Sequence, residues 1–156
     1  MKSALNFSVI LLLLFIGVSC SNNDDNNSST PVIVTFNASL TPVEGTGSSA
    51  HGDATLEFNQ TAKTFKITVT YTGLAPNHGH IHAADGTVVF PFSDTSVTTS
   101  PFTQTFAITD AQIVELMANH YYVNLHTVDF PLGEIKGTLI KTGTSGGGGD
   151  GGGGHY

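Results

Sequence analysis

Arginine is absent from the chain, and only five lysines stand against twelve aspartates and glutamates, which gives a formal net charge of −7. A protein that binds nucleic acid normally presents a basic face, so this acidic balance disfavours nucleic acid as a partner. Without a guanidinium group the chain also lacks the usual bidentate clamp for phosphates and carboxylates. The 156 residues are enough for one domain, and we expect its partners to belong to other classes than nucleic acid.

Cysteine occurs once, at position 20, so no disulfide can form within the chain and the domain must rely on its core. A lysine at position 2, an apolar run over 9–16 and small residues precede Cys20, which is the pattern of a secretory signal. The apolar run is too short for a membrane-spanning helix with ordinary flanks. Because Cys20 stands at the cleavage point, the segment resembles a bacterial lipoprotein signal, with Gly17 where such signals usually carry leucine.

This resemblance implies that residues 1–19 are a signal peptide and that Cys20 is the lipidated first residue of the mature protein. The predicted location is the bacterial cell envelope, as an outer-membrane lipoprotein on the periplasmic side or at the cell surface. The membrane is then a partner through the lipid anchor. Ordinary secretion with a free thiol is the alternative, although an exported protein rarely carries a lone exposed cysteine.

Two further segments lack the apolar side chains that a core needs. Residues 21–30 contain no apolar side chain. Together with Cys20 they are therefore predicted to form a disordered tether over 20–30. Nine glycines fall between positions 143 and 154, and this composition predicts a flexible tail over 142–156. The folded domain is therefore expected over residues 31–141.

Within that domain, apolar and polar residues alternate in several short segments. Such alternation is typical of half-buried β-strands. The predicted strands begin with 32–40, 54–58 and 65–71, continue through the histidine-rich segment 78–83, 87–92 and 102–108, and end with 121–127 and 134–140. One segment has helical spacing instead, with Thr109 and Gln112 forming a capping box before the apolar stripe of Ile113, Leu116 and Met117. The pattern predicts an all-β fold, an antiparallel β-sandwich or barrel with one short helix.

Three of the seven histidines lie two residues apart, at positions 78, 80 and 82. Alternate residues of a strand share one face, so these imidazoles point to the same side, opposite Ile81. His126, in a later predicted strand, has the parity of an outward-facing residue. If the two strands are neighbours, His80, His82 and His126 converge, and three imidazoles form an open site for copper or zinc.

Two more residues are candidates for the surroundings of this site. Glu134 is expected to complete the coordination or to orient an imidazole from the second shell, and His78 is a weaker candidate at the loop edge. Because imidazole must lose its proton before it binds a metal, affinity should fall as the pH drops through about 6.5. In the alternative interpretation the histidines are structural: His126 fixes the loop before Glu134, and His80 hydrogen-bonds a carbonyl.

Several motifs resemble the CHRD domain, a module named after the animal protein chordin and common in exported bacterial proteins. They are Leu40–Glu44, Gly79-His80-Ile81-His82, Tyr122–Thr127 and Gly133–Gly137. The resemblance spans about residues 32–140 and implies an immunoglobulin- or superoxide-dismutase-like sandwich, without a settled activity. The His-x-His segment is also similar to the strand that supplies copper ligands in copper–zinc superoxide dismutases.

A catalytic function has little support in the sequence. No Ser-His-Asp order stands out, no glycine-rich phosphate loop precedes a helix, and the missing arginine argues against a dismutase. We therefore expect no enzyme, but a lipid-anchored binding module that holds copper or zinc. The alternative is a metal-free adhesion or scaffold module that contacts an envelope protein or glycan through exposed aromatic and threonine-rich loops over 90–102.

Overall fold

The computed structural model describes residues 30–146, which form nine strands and two short helices. The strands are β1 (Ile33–Pro42), β2 (His51–Asn59), β3 (Thr64–Thr72), β4 (His78–Ala83), β5 (Val88–Pro91), β6 (Phe102–Ala107), β7 (Tyr121–His126), β8 (Ile135–Thr138) and β9 (Ile140–Ser145). The helices are α1 (Asp94–Val97) and α2 (Asp110–Met117).

All the strand pairs are antiparallel, in the order β5-β4-β7-β8-β1-β2-β3-β6, with β9 on β1. Strand β1 joins the two halves, because most of its length pairs with β2 and β9 while Thr41 and Pro42 pair with β8. The end strands β5 and β6 approach each other through aromatic rings, with Phe90 and Phe106 centroids 5.4 Å apart. The fold is a nearly closed antiparallel barrel, which confirms the all-β prediction.

Alternation along the strands decides which side chains enter the core. In β1 the residues at even positions from 34 to 40 are all buried, whereas Asn37 and Ser39 face solvent. Strands β2 and β3 follow the same rule with Leu56, Phe58 and Ile67 inside. Each large apolar side chain contributes about 1.5–3 kcal/mol when it is fully removed from water, so the alternation selects one face of every strand.

Helix α2 begins as its sequence predicts. The Thr109 hydroxyl accepts a hydrogen bond from the Gln112 backbone N–H at 3.3 Å, and the Gln112 side chain accepts one from the Thr109 N–H at 3.0 Å. Leu116 is fully buried, and Ile113 and Met117 pack against the core. This reciprocal cap satisfies backbone donors that a helix start otherwise leaves unpaired.

The segment between β5 and β6 differs from its prediction as an exposed loop. It contains the helical turn α1, in which the Ser93 carbonyl accepts from the N–H groups of Ser96 and Val97. Val97 is fully buried and anchors the turn, and the rings of Phe92 and Phe102 are buried as well. Val97 is one apolar residue in a polar stretch and gives no helical periodicity, so the sequence contains no signal for helix α1. The prediction of exposed aromatic residues over 90–102 is therefore wrong.

The end of the domain also differs from its prediction. The single strand expected over 134–140 is two strands, β8 and β9, separated at Leu139, whose side chain is fully buried. Strand β9 continues to Ser145, so residues 143–145 of the predicted flexible tail pair with β1. Every residue of β9 is exposed, and its pairing uses backbone groups that no side-chain pattern reveals.

The predicted signal peptide, Cys20, the tether up to residue 29 and the tail from 147 onward lie outside the described residues. Among residues 30–146, no helix is long and apolar enough to cross a membrane.

Candidate metal centre

Strands β4 and β7 are direct neighbours in the sheet. Their register places His78 opposite His126, His80 opposite Asn124 and His82 opposite Tyr122. Alternation turns these six side chains away from the core, which Ile81 enters from between two of the histidines. The condition that the sequence left open is met: His126 comes from a strand that is hydrogen-bonded to the His-x-His strand.

His80, His82 and His126 form one cluster. A ring nitrogen from each lies within 4.8 Å of the other two, and the His80 Nδ1 to His126 Nε2 distance is 3.1 Å. Tetrahedral coordination with bonds of about 2.1 Å separates ligand nitrogens by about 3.4 Å, so the longest separation must shorten by about 1.4 Å.

Backbone carbonyls fix the protonation pattern of two of the rings. His82 Nδ1 lies 2.9 Å from the Gly86 carbonyl oxygen, and His126 Nδ1 lies 3.0 Å from that of Pro131. A carbonyl only accepts, so each Nδ1 carries the proton and each Nε2 presents a lone pair. An outer carbonyl that orients the ring in this way is the usual support of a metal-binding histidine.

The third ring completes the pattern. Because His126 Nε2 is an acceptor, His80 Nδ1 donates to it across the 3.1 Å contact when no metal is bound. A metal bound between the two rings would take the place of that shared proton. The His80 ring would then carry its proton on its own Nε2 instead of Nδ1. The cluster therefore needs only a tautomer change of one ring to present three lone pairs.

Three buried side-chain atoms in the described part of the chain have no hydrogen-bond partner: Asn77 Oδ1, His82 Nε2 and Asn124 Oδ1. All three are lone-pair acceptors, and all belong to residues in or next to the cluster. A buried acceptor without a partner costs about 1–3 kcal/mol, so such atoms call for a missing partner. His82 Nε2 belongs to the cluster itself, and a cation there satisfies it.

Burial and repulsion between neighbouring rings lower the pKa of His80 and of His126. Burial, followed by the neighbouring rings of His126, His82 and His78, lowers the pKa of His80 from 6.5 to about 4. Burial is also the main reason that the pKa of His126 is lowered, although its Pro131 hydrogen bond opposes this. His80 therefore stays neutral to a lower pH than an ordinary histidine, and the expected fall of metal affinity through about pH 6.5 stays a prediction.

Only 7% of His82 and 8% of His126 is exposed, and the loop after β7 covers His126 with the Pro131 carbonyl. Glu134 holds this loop: its carboxylate oxygens accept hydrogen bonds from Ser48 Oγ at 2.6 Å and Thr127 Oγ1 at 2.7 Å. Gly133 has a φ of +119°, and a Cβ there would overlap the Asn124 carboxamide. The loop thus brings the Pro131 carbonyl to His126 through several independent contacts.

The two residues expected around the site have hydrogen-bond partners other than the three clustered histidines. Both oxygens of Glu134 are engaged by hydroxyl groups, so it supports the covering loop and not an imidazole. His78 Nδ1 lies 2.8 Å from Asp94 Oδ1, and its side chain is about half exposed, at 52%. Of the four histidines expected at the site, the structure gathers three, without His78.

Tyr122 is a neighbour whose contact with the cluster the sequence did not predict. Its ring stacks on His82 with centroids 5.1 Å apart and planes 10° apart, and Lys136 Nζ lies 5.8 Å from the Tyr122 centroid. The sequence did contain one indication of this contact: Tyr122 and His126 lie an even number of residues apart on the same predicted strand and therefore share a face. The stack covers one face of His82 and restricts its rotation.

An open cavity of about 360 Å³ adjoins His80 and His126. Its other walls are Asn77, His78, Thr127, Val128 and Pro131. The cluster is thus closed by the loop on one side and reachable from solvent on another. Three histidines with one open side are the arrangement of a metal site that admits a further ligand.

The model of one protein family, described as the CHRD domain, matches residues 28–139. CHRD domains typically occur in extracellular or secreted proteins. No curated protein and no solved structure matches the chain. The match spans most of the chain, and the resemblance that the sequence motifs suggested is confirmed: the chain belongs to the CHRD domain family.

Proposed function

We propose that this protein is an extracytoplasmic binding module that holds one copper or zinc ion through His80, His82 and His126. The observation that carries the proposal is that the three histidines each place a ring nitrogen within 4.8 Å of the other two, with His82 Nε2 buried and without a hydrogen-bond partner. Imidazole suits both metals, and the three donors do not distinguish between them. The role is binding, for storage, delivery or bracing of the domain, and not turnover.

We also propose that Cys20 is lipidated and anchors the domain in the outer membrane of a bacterial envelope. Support comes from the lipoprotein-type signal before Cys20 and from the extracellular setting typical of the family. The polar segment between Cys20 and the first strand then serves as the tether.

Metal content of the mature full-length protein tests the metal proposal. After exposure to copper or zinc and removal of unbound ions, elemental analysis should find about one ion per chain. His82→Gln and His126→Gln should lose it, because each removes a lone pair whose orientation a carbonyl fixes. His51→Gln is the matched control, since His51 is exposed and lies outside the cluster, and it should keep the metal.

Two results would contradict the proposal in different ways. Full metal retention by both cluster variants would place the ion elsewhere. A wild-type protein that takes up no ion would favour the alternative, a metal-free adhesion or scaffold module that contacts an envelope protein or glycan. The aromatic residues that this alternative was expected to use are buried in the core. Val128 and Leu132, which are 80% and 91% exposed, could serve such a contact instead.

A further inference from the structure

We infer that His78 and Asp94 form an entry site for the metal ion. His78 binds the incoming hydrated cation through Nε2 at the edge of the open cavity and passes it to His80 and His126. The inference rests on the proposed metal function and adds the route by which the ion reaches and leaves the cluster. It follows from the position, the free ring nitrogen and the charge of this pair.

His78 lies between solvent and the cluster. It is directly opposite His126 in the pairing of β4 with β7, and alternation turns it to the same outer face as His80. Directly opposite residues have Cβ atoms about 4.5–5.5 Å apart, so the side chains of His78 and His126 start close together. His78 also lines the cavity that adjoins His80 and His126, while about half of its own side chain is exposed. A cation in this cavity therefore meets an exposed imidazole beside a buried one.

The hydrogen bond between His78 and Asp94 leaves one ring nitrogen able to bind a metal. His78 Nδ1 lies 2.8 Å from Asp94 Oδ1. An ionised carboxylate only accepts, so Nδ1 carries the proton and the neutral ring has its lone pair on Nε2. The carboxylate orients this ring as the carbonyls orient His82 and His126. His78 is not one of the three clustered histidines, so an ion on its Nε2 is still outside the final site.

Asp94 adds negative charge on this side of the cluster. Helix α1 holds it there through the packing of Val97 on β4, since a Cβ on Gly79 would lie 3.3 Å from Val97 Cγ1. Burial, followed by the neighbouring rings, lowers the pKa of His80, and the charge of Asp94 opposes this lowering. That charge therefore acts on the cluster itself. Because the cavity walls contain no lysine, the carboxylate raises the local concentration of a divalent cation.

Rates of metal uptake and release test the entry site separately from the metal site. The metal-free mature full-length protein is mixed with Co(II) in place of zinc, and visible absorption follows the formation of tetrahedral coordination. Excess chelator then removes the ion from the loaded protein, and the loss of absorption gives the release rate. A group that acts only on the route changes both rates by the same factor, so the equilibrium affinity stays the same.

His78→Gln should slow uptake and release equally, by about tenfold, the lower end of what a raised local ion concentration adds to an association rate. Asp94→Asn should slow uptake at low salt, and the difference should shrink as salt rises, because the carboxylate is exposed and screened. His120→Gln is the matched control and should keep the wild-type rates. His120 Nδ1 also lies 2.8 Å from a carboxylate, that of Glu115, in an exposed pair that does not line the cavity.

Co(II) content and melting temperature are measured for each variant first, and both variants should fold because an exposed pair contributes little to stability. Unchanged uptake and release in His78→Gln would overturn the inference. Faster release with unchanged uptake would also overturn it, because His78 would then be a ligand of the bound ion. Wild-type uptake by Asp94→Asn at low salt would overturn the role of Asp94. A wild type that takes up no Co(II) overturns the proposed function and the entry site with it, whereas the rates overturn the entry site alone.

Discussion

Folding of the metal-free protein should lose stability as the pH falls from about 6.5 to about 4, and His80→Gln should remove much of that loss. The pKa of His80 is lowered to about 4 in the fold, against 6.5 for an ordinary histidine. Between these two pH values His80 is protonated in the unfolded chain but neutral in the folded protein. The free energy of unfolding therefore rises with pH through this window. Above pH 6.5 the contribution is complete, and below about 4 it is lost.

The magnitude follows from the lowered pKa. A difference of about 2.5 units corresponds to about 3.4 kcal/mol at about 1.36 kcal/mol per unit. His80 is only partly buried, and solvent screens the repulsion from its neighbours, so we expect roughly 1–2 kcal/mol. The free energy of unfolding of wild type should therefore fall by that amount more than that of His80→Gln between pH 7 and pH 4.

Urea unfolding in the presence of a chelator, at pH steps from 7 to 4, measures this difference. His51→Gln is the control, because it removes an exposed histidine outside the cluster and should keep the wild-type dependence. Parallel pH profiles for wild type and His80→Gln would refute the reasoning, since the cluster would then not resist protonation.

Three further predictions follow from other parts of the chain. Gly133→Ala should lower both the melting temperature and the metal affinity, because a side chain at φ +119° is strained and overlaps Asn124 under the covering loop; unchanged affinity would separate the loop from the site. Deletion of 143–156 should lower the melting temperature more than deletion of 147–156, because it removes three β9 residues that pair with β1, a loss of about 1–3 kcal/mol; equal melting would contradict the pairing. A fatty-acid probe should label the wild type but not Cys20→Ala in bacterial cells, and equal labelling of both would exclude the anchor.

Local chemistry in the sequence was enough to predict most of the strands, the start of helix α2 and the face of the histidines in β4 and β7. Alternation has a period of two, so Ile81 in the core requires His80 and His82 on the opposite face whatever the neighbouring strand is. The Thr109 and Gln112 cap is likewise a contact between residues three apart, and the structure confirms it. These features depend on near neighbours in the chain.

Features that depend on distant parts of the chain could not be obtained in this way. Backbone hydrogen bonds of a strand are nearly independent of sequence, so parity gives a face but not a partner, and the pairing of β9 with β1 left no side-chain pattern. The contact between Glu134 and Ser48 could not be predicted for the same reason, because the two residues lie 86 positions apart in the chain.

The sequence by itself thus determined that this is an all-β domain with outward-facing histidines. Only the tertiary structure decided that they meet. Pairing of β4 with β7 brings His80 to His126 across 46 residues of chain, and the assembled fold leaves His82 and His126 buried. The physical reason is that the lowered pKa of His80 and of His126 results mainly from burial, which is a property of the assembled fold and not of any segment.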